Sequence, residues 1–254
     1  MKQSLIILFV ANQILSFSQI PDFYENGQKY SVGSQDSGEY IVYYENGQEM
    51  LHFSYKNGLK EGIQIEYFES GQIRTQVMCK NGLKTGDEIT YYESGKLASI
   101  DPYVDGQRHG TCFYYYENDT LFYQLESVNG LSVGDFIRYY EDGTMQGKST
   151  FINGINDGEV LEYWPDGTLH QKLFYKDGKK NGEYTEYYNN GQLKFHYINL
   201  EDEIHGEEVF YYENGQIRSI GNKVNGKFDG IWTYYNQDGA LEKTEPYENG
   251  KKIK

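Results

Sequence analysis

Glycine returns along this 254-residue chain on a ruler of 24 residues. One comb runs Gly47, Gly71, Gly95, then Asp119 in a glycine's place, then Gly143, Gly167, Gly191, Gly215 and Gly239. A second runs Gly58, Gly82, Gly106, Gly130, Gly154, Gly178, then Asp202, Gly226 and Gly250, and a third from Gly38 through Gly62 and Gly86 to Gly230. No insertion shifts any of them. A fixed period of this length means a stacked architecture in which each unit buries apolar surface against its neighbours. Nine units cover residues 38–254, a partial copy with "FYENGQ" lies in 19–37, and the remainder holds no separate catalytic domain.

Each unit reads as one hairpin and its connector. In "GEYIVYYENGQEMLHFSYKNGLKE", Glu39 to Tyr44 are rich in β-branched and aromatic residues, and Gln48 to Tyr55 form the returning strand. Asn46-Gly47 between them is the dipeptide of a two-residue type I′ turn, and Asn57-Gly58 turns the chain back again. Such positions need a positive φ, which Asn and Asp tolerate best after Gly, so Asp119 and Asp202 are expected replacements. Helical spacing is absent. The expected fold is all-β: an elongated single-layer antiparallel β-meander of tandem 24-residue hairpin repeats.

Alternation assigns the faces. Tyr43, Tyr67, Tyr91 and their equivalents share one face with Ile41, Ile65 and Ile89, and that row is expected to be the structural spine. The other face is expected to carry a second aromatic row, including Tyr92, Tyr116, Tyr140, Trp164 and Tyr188. Such rings either pack against neighbouring hairpins or offer a platform for sugar faces or a quaternary ammonium. The second possibility makes these five the candidate binding residues, although the Gly-Trp pattern of known surface modules of that kind is missing.

The 38 acidic against 23 basic residues give a net charge of -15, which repels nucleic-acid phosphates and anionic lipids and favours a basic protein partner. The aromatic content of 17% is too high for a disordered chain. At the start, "MKQSLIILFVANQILSFSQ" places Lys2 before the apolar run Leu5 to Val10 and small residues before Gln19, so residues 1–18 are expected to be a signal peptide for export. Cys79 and Cys112 fall three strands apart, roughly 14 Å, beyond the reach of a disulfide, and are expected to be free thiols.

Little in the chain suggests catalysis. The five histidines form no ligand motif, and His109 and His205 hold one unit position four units apart, about 38 Å. Glu45, Glu69, Glu93, Glu117, Glu141 and Glu213 form a stripe with steps of about 10 Å, too wide for one calcium ion, whose oxygen ligands lie at most about 5 Å apart. No nucleophile elbow, metal-binding helix or phosphate loop is present. A non-enzyme without cofactor is expected.

Units such as "GEYTEYYNNGQLKFHYIN" and "GDEITYYESGKLASI" resemble the MORN-repeat variant common in bacterial proteins: Gly, a few residues, paired aromatics, Asn or Asp, Gly, then a long aliphatic. "RHG" at Arg108 to Gly110 is similar to the basic-His-Gly ending of the wider family. The resemblance covers all nine units and implies an extended antiparallel scaffold. Many relatives carry an antitoxin-like label, which the resemblance extends to this chain as an expectation. The reading is an exported, non-enzymatic scaffold for protein-protein interaction, with a cell-surface carbohydrate-binding module as the alternative.

Overall fold

The computed structural model describes residues 31–33 and 35–254, so the expected signal peptide and the "FYENGQ" copy lie outside the described residues. What it describes is one antiparallel sheet without helices, beginning with Ser31–Gly33 and ending with Lys251–Lys252. Nine hairpins follow one another, from Gly38–Tyr43 with Glu49–Lys56 to Lys227–Tyr235 with Leu241–Glu248. Each pairs only with the strands before and after it, and no pairing joins the two ends, so the sheet is an open meander rather than a barrel.

The two turns of a unit differ, which corrects the type I′ assignment at Asn46-Gly47. There the Gly47 N–H donates to Tyr44 O at 3.0 Å and the Tyr44 N–H to Gln48 O at 2.8 Å, which is a type I turn closed by a glycine bulge. Gly47 alone of the loop has positive φ, at 87°. The Asn46 Oδ1 accepts from the Gln48 N–H at 2.9 Å, which is why Asn or Asp precedes the glycine so often. The type I′ turn is the second one: Asn57 and Gly58 have φ of 52° and 75°, and Lys56 faces Leu59 directly across them. Asp119 and Asp202 do adopt the left-handed conformation, at 69° and 73°.

Two irregularities recur in each unit. Tyr43 faces Glu49 while Val42 faces Leu51, which leaves Met50 as an extra residue. The chain then bulges again where it enters the next hairpin: Tyr55 faces Lys60 but His52 faces Ile65, and Gly62 sits in the excess with φ of 93°. The third glycine comb therefore marks bulges, not turns. A bulge bends a strand and increases its twist, so bulges repeated at fixed unit positions curve the sheet the same way at each step.

The faces are consequently unequal, and the best-covered one is not the expected spine. Most of the deeply buried side chains, including Val42, Val77, Cys79, Cys112, Leu173, Tyr184 and Trp232, alternate away from the Tyr43 row. Tyr43 and its equivalents stay half-buried, with Thr185 and Val209 the well-covered members of their face. On the covered face the large side chains of one unit reach across gaps left by the next. The clearest case is Gly221, where a Cβ would stand 2.3 Å from Cδ2 of Trp232, a ring only 2% exposed whose Nε1 donates to Asn222 O at 3.1 Å.

Both cysteines are free and buried, as their spacing implied. Burial pushes the Cys112 thiol up to about 11, helped by the nearby Asp101 carboxylate, and raises that of Cys79 as well, so both are neutral near pH 7. At the C-terminal edge, Pro246 and the charges of Glu242, Lys243, Glu245 and Glu248 discourage pairing with another chain, and the Lys252 ammonium reaches Glu245 at 2.8 Å.

The Gly221 contact yields a test. Gly221→Ala should lower stability by about 1–3 kcal/mol, because the indole cannot retreat from a fixed Cβ. Pairing it with Trp232→Leu should cost less than the two single changes summed, as read from urea midpoints.

Candidate interaction surface

The expected aromatic row does not lie on a strand. Tyr44 and its equivalents stand at the corner of the first turn, and their hydroxyls point along the ribbon. Tyr92 Oη donates to Tyr115 O at 2.5 Å, Tyr116 to Tyr139 O at 3.0 Å, Tyr140 to Tyr163 O at 2.7 Å and Tyr188 to Tyr211 O at 2.9 Å. Tyr44 and Tyr212 repeat the bond at 2.7 and 2.8 Å. Each spans 23 residues, so each carries one hairpin onto the next. Trp164 has no hydroxyl; its ring lies 3.9 Å from that of His170, and its Nε1 is buried without a partner among the described residues. Of the five candidate binding residues, the four tyrosines thus form a regular file whose hydroxyls tie one hairpin to the next, and Trp164 interrupts it.

The opposite edge of the ribbon carries a matching tie made of backbone alone. The N–H of each second-turn glycine donates to a carbonyl of the preceding unit, from Gly82 to Lys60 O and Gly106 to Lys84 O through to Gly250 and Phe228 O, at 2.8–2.9 Å. At four first turns the Asn amide adds a further bond, such as Asn118 Nδ2 to Glu141 O at 2.8 Å.

The covered face contains polar networks that the sequence reading did not anticipate. Asp101, only 4% exposed, accepts from Tyr114 Oη at 2.6 Å and from Arg108 Nε at 3.0 Å. Burial, then the bond to Asp101, raises the Tyr114 phenol above its ordinary value. Glu208 meets Lys223 at 2.9 Å, both largely buried. Further along, Glu162 accepts from Gln171 Nε2 at 2.6 Å and approaches Arg138 at 3.4 Å, while the Tyr184 hydroxyl lies 2.6 Å from Gln171 Oε1. Rings close over these groups: Tyr114 stacks on Tyr123 at 4.2 Å and Tyr184 on Tyr197 at 4.7 Å. Acids at these positions lacked any apolar pattern, so they could not be read as interior; their signal was a basic residue or tyrosine at the facing unit position.

The Tyr43 face is different. It presents one half-buried tyrosine per unit, flanked by Ile41, Ile65, Ile89, Phe113, Ile137 and Leu161, and among the described residues no second layer covers it. His52 sits beside Glu49 at 3.3 Å and His196 beside Glu183 at 3.0 Å, so these two rings are engaged in local pairs.

A family model described as MORN repeat variant matches nine consecutive segments, 37–57, 60–81, 84–105, 108–129, 132–153, 156–177, 180–199, 204–222 and 228–249. The chain belongs to the MORN repeat variant family. No curated protein matches it in sequence. Among solved structures it is similar to TcdB2-TccC3 without its hypervariable C-terminal region, at 14% identity over 87% of this chain, with a TM-score of 0.22. It is also similar to a porin-like protein from Bacteroides uniformis, at 9% identity over 81% of this chain and 87% of the other, with a TM-score of 0.21. This MORN chain spans only 13% of the TcdB2-TccC3 chain, and superpositions this loose carry no argument.

If the hydroxyl file holds the repeats together, Tyr140→Phe should cost about 0.5–1.5 kcal/mol, since it leaves Tyr163 O without its donor. Conversely, Phe68→Tyr should stabilise by up to about 1 kcal/mol by adding the missing bond to Tyr91 O. Urea unfolding of both variants checks the two opposite signs.

Proposed function

We propose that this MORN repeat variant protein is an exported, non-enzymatic scaffold that holds another protein along its open Tyr43 face. The observation that carries the reading is the difference between the faces. One has its acids paired and its rings stacked inside the sheet, while the other repeats a half-buried tyrosine at each step, with an apolar neighbour at most of them, and no second layer covers that face among the described residues. Tyrosine supplies interface energy with little entropy to lose, and the aliphatic neighbours add apolar area to bury. Repetition makes the contact additive from unit to unit.

The charge of -15 favours a basic partner, chiefly through faster association. It disfavours nucleic acid and anionic membranes. Export rests on the pattern of residues 1–18, a single lysine, a short apolar run and small residues before Gln19. An antitoxin-like role would be one case of this function, with the captured partner as the toxin.

The test is capture followed by mapping. The chain from Gln19 onward is used as bait against the exported fraction of its source, and the partner recovered in stoichiometric amount is titrated against variants. Removal of three units, residues 110–181, should weaken binding in proportion to lost length. Tyr139→Ser with Tyr163→Ser should weaken it by about tenfold or more. Tyr140→Phe should leave it unchanged. Affinity indifferent to the three-unit deletion would sink the distributed-contact reading.

A further inference from the structure

The covered face is not filled everywhere. A cavity of about 250 Å³ opens on it across the first three units, walled by Leu51, Phe53 and Val77, with Cys79, Gln64 and Lys60 among its lining. Two atoms in this wall lack the partner that their chemistry requires. Gln64 is 4% exposed; its Nε2 donates to Gly62 O at 3.0 Å, but its buried Oε1 accepts nothing among the described residues. Lys60 is half-buried with its ammonium 3.9 Å from the centre of the Phe53 ring, and no carboxylate pairs with it among the described residues.

The neighbouring charges are already taken. Lys84 pairs with Glu88, and Glu66 with Arg74 at 3.1 Å, so among the described residues Lys60 is left as the unmatched cation of the lining. Burial lowers the Lys60 amine from its ordinary value, which is the expected response of an ammonium with no counter-ion. Elsewhere the same unit position is satisfied: Arg108 has Asp101 and Lys252 has Glu245.

The pattern occurs twice. A second cavity, of about 320 Å³, lies on the same face across the fifth, sixth and seventh units, where Gly147 and Ser149 stand in place of larger side chains. Its lining includes two groups without partners among the described residues: Lys180, which holds the unit position of Lys60 and has no carboxylate paired with its ammonium, and Asn156, whose buried Oδ1 accepts nothing. Rings of Tyr175, Tyr184 and Tyr197 line it in the role of Phe53.

We propose that the cavity between Lys60 and Gln64 is a binding site for a small organic acid that carries an N–H or O–H donor near its carboxylate, of the N-acyl amino acid or hydroxy acid class. The carboxylate supplies the counter-ion of Lys60, the donor satisfies Gln64 Oε1, and an apolar group fills the space beside Phe53, Leu51 and Val77. One ligand thereby removes two uncompensated burials, which is the usual source of selectivity in a small polar-and-apolar pocket. The site is independent of the Tyr43 face, so it stands or falls apart from the protein-scaffold reading.

The probe is hippurate, which has a carboxylate, an adjacent N–H and a ring, titrated into the full chain carrying 13C-labelled methyl groups. The Leu51 and Val77 methyl resonances should shift and saturate. Hippurate methyl ester, which lacks the anion, should bind at least about tenfold more weakly, as should hippurate on Lys60→Met. Gln64→Leu should weaken it by a similar factor, and Lys180→Met should leave these two resonances unaffected. If Lys60→Met disturbs methyls far from the cavity, Lys60→Gln replaces it. An N-acetylated tripeptide with a free C-terminus, run in parallel, separates free acids from chain ends as the source of the carboxylate. Absence of saturable shifts at Leu51 and Val77, equal binding of acid and ester, or undiminished binding to the Lys60 variants would overturn the site.

Discussion

Everything in this molecule depends on hydrogen bonds that leave one hairpin and end on the next. A single-layered sheet has no second layer to press it into order, so the neighbour along the ribbon must do so. The two edges solve this differently. At the first turn a tyrosine hydroxyl crosses to the following unit, and at the second turn a backbone N–H reaches back to the preceding one. Because the first bond needs a particular side chain and the second only a backbone in the left-handed conformation, sequence variation weakens one edge more readily than the other. Phe68, Trp164 and Asn236 occupy the tyrosine's position without supplying its hydroxyl, whereas Asp202, where glycine is lost at the other edge, still donates its N–H to Lys180 O at 2.9 Å.

The period, the hairpin plan and the free thiols were legible in the chain because they follow from glycine spacing and strand geometry alone. The turn type was not, because Asn-Gly ends a three-residue bulged loop as readily as it forms a type I′ turn. The residue that decides is Pro165 in "WPDG": its fixed negative φ suits the first central position of a type I turn, with Asp166 next and Gly167 closing the loop. The equivalent position in other units is Glu, Asn or Gln, which is permissive and hides the distinction.

The interior face was harder still. Strand arguments look for apolar alternation, and here the buried positions hold Gln64, Asp101, Asn199 and Glu208 beside Val77, Leu173 and Trp232. Polar groups are held there by specific partners rather than by hydrophobicity: Asp101 is tolerable only because Arg108 and Tyr114 arrive from adjacent strands. Such pairing is visible only once register is known, and register itself depends on the extra residue at Met50 and its equivalents. The Tyr43 row showed the reverse error, since a regular aromatic row suggested an interior and instead marks the face with less cover.

The hydroxyl file is broken in two internal places, after Phe68 and after Trp164, which separates the nine hairpins into groups of two, four and three. Cooperative units in linear arrays are delimited by their weakest junctions, so these are perforations at which the ribbon would part or flex first. Each cavity straddles one of them, the smaller spanning the junction after Phe68 and the larger the junction after Trp164. Whatever occupies a cavity therefore touches both sides of a tear line, and filling it would act as a rivet, setting how stiffly one group of hairpins is carried by the next.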